Sequence, residues 1–60
     1  MPIEDQYIKE ALDHAIAQTF MGAVDWAKVI DHLRERHPHM DTEYLFMIAN
    51  RARFQYDKIS

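Results

Sequence analysis

Only three residues in this chain readily break a helix, Pro2, Gly22 and Pro38, and they divide it into three segments of helix length. Pro2 suits the first turn of a helix, where its missing N–H costs nothing. Gly22 supplies the left-handed backbone position at which a helix commonly ends. Pro38 disfavours helical geometry at His37 and closes the element before it. The sequence between these points is helical in period. Helices are expected over residues 3–21, 25–37 and 42–58, folded into one small all-α three-helix bundle that spans residues 1–60.

In the first segment Ile8, Ala11, Leu12, Ala15, Ile16, Thr19 and Phe20 recur at three- and four-residue spacing, so they share one face. Gln6, Glu10, Asp13, His14 and Ala17 fall on the other. The second segment opens on Asp25, whose carboxylate suits the unpaired N–H groups of a first turn. Val24 and Val29 are spaced as a hydrophobic staple around it. Trp26, Val29, Ile30 and Leu33 form its apolar stripe, while Lys28, Asp31, His32 and Glu35 are expected to face water. Arg34, Arg36 and His37 suit the negative end of its dipole. The third segment repeats the pattern, with Asp41 as cap, Met40 and Leu45 as staple, and Leu45, Ile48, Ala49, Ala52, Tyr56 and Ile59 as stripe. The expected core is Ile8, Leu12, Ile16, Trp26, Ile30, Leu33, Leu45, Ile48 and Ala52.

Sixty residues bury only about 60% of the surface that their unfolded chain exposes, so such a domain often leans on a partner or on a second copy. There is no cysteine to supply a disulfide or a thiolate zinc site, which agrees with a reducing, cytoplasmic location. The apolar runs fall far short of the roughly 20 residues that a membrane span needs. The acidic start, Glu4 and Asp5, is unlike the basic opening of a secretory leader. A net charge of -3 disfavours unspecific binding to nucleic acid.

The third segment carries more large apolar residues than one stripe can use. With Leu45 at the centre of the buried face and 100° per residue, Met47 and Phe54 point almost directly away and Phe46 lies to one side. Asn50, Arg51 and Arg53 are interleaved with them. Aromatic residues, Met and Arg are the types enriched at protein interfaces. Phe46, Met47, Asn50, Arg51, Arg53 and Phe54 are therefore the expected protein-binding residues, unless the first helix wraps far enough to bury the rings. Self-association and a foreign protein would both cover such a face. A second candidate is the acidic pair Glu10 and Asp13, which a basic partner could meet.

No chemistry is expected. Ser60 is the only serine, at the chain's end, and a single glycine makes no phosphate loop. His32 and His37 are five residues apart on a helix, roughly 140° in direction, which is poor spacing for a shared metal. Neither a cofactor nor a metal is assigned. A helix-turn-helix is the rival reading, since two helices and a short turn share its outline. In that motif the start of the second helix meets base edges, and here that position holds Asp41 and Glu43. In outline alone, a short acidic helical chain with an Asp-capped last helix resembles bacterial modulators that dock on nucleoid proteins and small phage-encoded inhibitors of host defence. The expectation is a non-catalytic, stoichiometric protein-binding regulator or inhibitor, with a DNA-binding regulator as the alternative.

Overall fold

A computed structural model describes residues 3–59, which form α1 (Ile3–Gln18), α2 (Trp26–Arg36) and α3 (Thr42–Ile59), with a 3-10 turn over Thr19–Met21 prolonging α1. No strand occurs among the described residues. The three-helix bundle is the architecture expected from the break points, and the boundaries of α2 and α3 fall within one residue of those read from the sequence. Pro2 and Ser60 lie outside the described residues, and with them the readings of a proline helix start and of a terminal serine.

The two aspartates act as caps. Asp25 Oδ1 accepts from the backbone N–H of Ala27 at 3.0 Å and of Lys28 at 3.4 Å. Asp41 Oδ1 accepts from Glu43 N at 3.1 Å. Each satisfies donors that no helical carbonyl reaches. Val24 and Met40, the residues before the caps, both pack against the core cluster, and Val29 and Leu45 lie inside it. Gly22 sits at φ 131°, ψ -144°, a conformation essentially closed to residues with a Cβ. The chain thus turns at Gly22 by backbone freedom, and the position is not the ordinary left-handed helix end that was expected.

The core is built from Ile8, Ala11 and Ala15 of α1, Val29 and Leu33 of α2, and Leu45, Ile48, Ala49 and Ala52 of α3. Five of the nine expected core residues are therefore buried. Leu12, Trp26 and Ile30 are half-buried, and Ile16 is 37% exposed. The reason lies in the seam residues. Four alanines in α1 and α3 are at most 3% exposed, so the backbones close over small side chains and the larger ones move to the flanks. Trp26 there meets Tyr56 edge to face, with centroids 6.0 Å apart.

Three more expected stripe residues, Thr19, Phe20 and Ile59, are exposed. Ile59 is exposed near the end of α3. Phe20 is 87% exposed, because the chain tightens to three residues per turn at Thr19–Met21 and leaves the α-helical register. Thr19 Oγ1 donates to Ile16 O at 2.6 Å within that turn. Met21 beside it is 94% exposed.

Candidate functional site

The outward side of α3 forms one wall of an open groove of about 730 Å³. Phe46, Met47, Asn50, Arg51 and Phe54, five of the six residues expected to bind protein, line it. Arg53 is exposed but lies outside the groove. The other wall comes from α1, which contributes Asp5 and Ile8. Glu43 and Lys58 line it from near the two ends of α3.

The rings are surplus to the core. Phe54 is 63% exposed and Phe46 45%. Met47 differs from expectation: it is half-buried and packs against the core cluster. Buried Ile8 of α1, a member of that cluster, lines the same groove. The apolar floor thus joins the core at Ile8 and Met47 and rises to water at Phe46 and Phe54. Lys58 Nζ sits 4.6 Å from the centroid of the Phe54 ring, within cation–π range. Arg51 Nη1 donates to Glu4 Oε1, which ties α1 to α3 beside the groove.

A second cluster, on α1 and α2, was not visible as a unit in the sequence. Glu10 Oε1 lies 2.5 Å from Arg36 Nε and 3.8 Å from His32 Nε2, and its Oε2 accepts from His37 Nε2 at 3.1 Å. His14 stacks on His32, centroids 4.1 Å apart and planes 5° from parallel. Tyr7 meets His37 edge to face at 4.9 Å. His32, Glu10 and His14, all read as water-facing, are accordingly half-buried. A signal was present: Glu10 and His14 are four apart on α1, and His32 and Arg36 four apart on α2, so each pair makes one side of a matched stripe.

This cluster changes the reading of the acidic pair. The Glu10 charge is matched by Arg36, while Asp13 stays exposed and has no ion-pair partner within 4 Å among the described residues. Burial first, and then the neighbouring His32, hold the His14 imidazole below its ordinary value of 6.5. Arg36 supplies a permanent cation to the cluster. Among the described residues no group of three or more His, Cys, Asp or Glu side chains is arranged to hold a metal ion.

Among the described residues no helix is long and apolar enough to cross a membrane. No protein-family model, curated protein or solved structure matches the chain.

Proposed function

We propose that this chain is a non-catalytic protein-binding module, a small regulator or inhibitor that acts by occupying its partner, and that the groove face of α3 is where it docks. The observation that carries the reading is the exposure of Phe46 and Phe54 on one groove whose floor is continuous with the core through Ile8 and Met47. Two aromatic rings left in water cost solvation free energy that a partner surface would recover. Clustered apolar exposure rimmed by polar groups is the usual mark of an interaction site on a small domain. The lack of cysteine fits work in a reducing cytosol.

The rim gives the face its orientation. Arg51 is held by Glu4, so it presents a fixed guanidinium edge. Asn50 offers an amide that both donates and accepts. Such groups set the register of a partner while the rings supply affinity. Affinity capture from the native host, comparing the unmodified chain with the double variant Phe46→Ala, Phe54→Ala, tests the reading. Capture of a defined protein by the former and its loss in the latter, with helical circular dichroism retained, is expected. Equal capture by both would overturn it.

A further inference from the structure

The groove face of α3 has a symmetry that docking alone does not require. Glu43 and Lys58 both line it, fifteen residues apart in sequence, which is about 22 Å along a helix. Met47 and Phe54 lie between them, seven residues apart, and Asn50 lies near the middle. At 100° per residue these five positions fall within an arc of about 80°. Both pairs are centred on one point, between Asn50 and Arg51. A second helix of the same sequence, turned end for end about that point, sets Glu43 against Lys58 and Met47 against Phe54, and brings the two Asn50 amides together. A parallel copy would instead set Glu43 against Glu43 and Lys58 against Lys58.

We propose that a second copy of the same chain covers this face when no target is bound, α3 against α3, antiparallel about a two-fold axis. The proposal rests on the docking reading above, since the pairing uses the face that meets the target. An isologous contact needs one patch complementary to itself, and this patch is, in charge and in apolar volume. The antiparallel arrangement also sets the two helix dipoles head to tail. Lys58 already leans over the Phe54 ring, so an incoming carboxylate from the other copy's Glu43 position meets a placed ammonium. The contact is small. One helix face buries less than the about 800 Å² per partner of a standard interface, so the dimer is a reversible one, with dissociation in the micromolar range or weaker.

Sedimentation velocity from about 10 µM to 1 mM tests this on the full chain, with circular dichroism as a check on folding. The unmodified protein should dimerise as concentration rises, less so at high salt. Glu43→Lys and Lys58→Glu are exposed changes that leave the core untouched. Each alone should weaken dimerisation about tenfold, because both ends of the symmetric contact then carry like charges. The double variant should recover most of the loss, and an equimolar mixture of the two single variants should pair more tightly than either alone. A chain that stays monomeric at 1 mM overturns the proposal, as does dimerisation that neither swap alters. If the monomeric chain still captures a host protein through Phe46 and Phe54, self-pairing falls while the docking reading stands.

Discussion

Leu33→Ala is the substitution whose cost the packing defines best. Leu33 is fully buried in the core cluster, where α2 meets the other two helices. Removing three carbons forfeits about 2.4 kcal/mol of transfer free energy, at roughly 0.8 kcal/mol per methylene. The incompletely closed cavity raises the total to about 2–5 kcal/mol. The whole domain holds about 3–9 kcal/mol, at roughly 0.05–0.15 kcal/mol per residue. Ile16→Ala also truncates a large aliphatic side chain, but at a site 37% open to solvent, so water enters and no closed cavity forms. Its expected cost is about 1 kcal/mol. Urea unfolding followed by far-ultraviolet circular dichroism reads both, with a slope of about 1 kcal/mol per molar for a chain this short. The midpoint should fall by more than about 2 M for Leu33→Ala and by about 1 M for Ile16→Ala. If Leu33→Ala is unfolded without urea, Ile48→Val, at about 0.5–1.5 kcal/mol, sets the core scale instead. Equal costs at positions 33 and 16, or a larger one at 16, would refute the alanine-seamed core.

Gly22→Ala should cost about 1–3 kcal/mol through backbone strain at φ 131°, since a Cβ there meets nothing within 4 Å; thermal unfolding measures it. His14 should titrate below 6.5 by proton NMR of its ring. The unfolded chain then binds that proton more readily, so His14 favours the folded state fully above pH 6.5 and less as pH falls through its folded value. His14→Gln should flatten that part of the stability profile, and a midpoint at or above 6.5 would contradict the burial of His14 beside His32. Gel-shift assays on random duplex DNA at physiological salt should show weak binding or none, whereas sub-micromolar, sequence-dependent binding would favour the helix-turn-helix reading.

The break points and caps were legible because they act locally. Asp25, Asp41 and Gly22 each do their work within a few residues of chain, and the helix limits follow from them. The exposed rings of α3 were legible too, because 100° per residue puts Phe54 opposite Leu45 whatever packs nearby. The core was legible only in part. Apolar size points to Leu12, Ile16 and Trp26, but the packing of α1 on α3 selects Ala11, Ala15 and Ala49 beside the expected Ala52, and that choice depends on how the helices cross. Phe20 followed the α-helical period until a 3-10 turn, which leaves no strong local signature, swung it outward. The Glu10, Arg36 and His37 contact joins residues 26 and 27 positions apart in sequence. Helical wheels drawn one at a time cannot show which two polar stripes will meet. Met47 was misjudged for the same reason, since it packs against the core cluster that all three helices build.

Chemical-shift mapping tests the docking face most directly. The isotope-labelled chain is titrated with the protein captured from its host, or with its own unlabelled copy. Shifts should concentrate at Phe46, Asn50, Phe54 and Lys58 of α3 and at Ile8 of α1, with α2 little changed. Shifts confined instead to Asp13, His14 and His32, with the amides of α3 unmoved at saturation, would show that the exposed rings are not the binding surface.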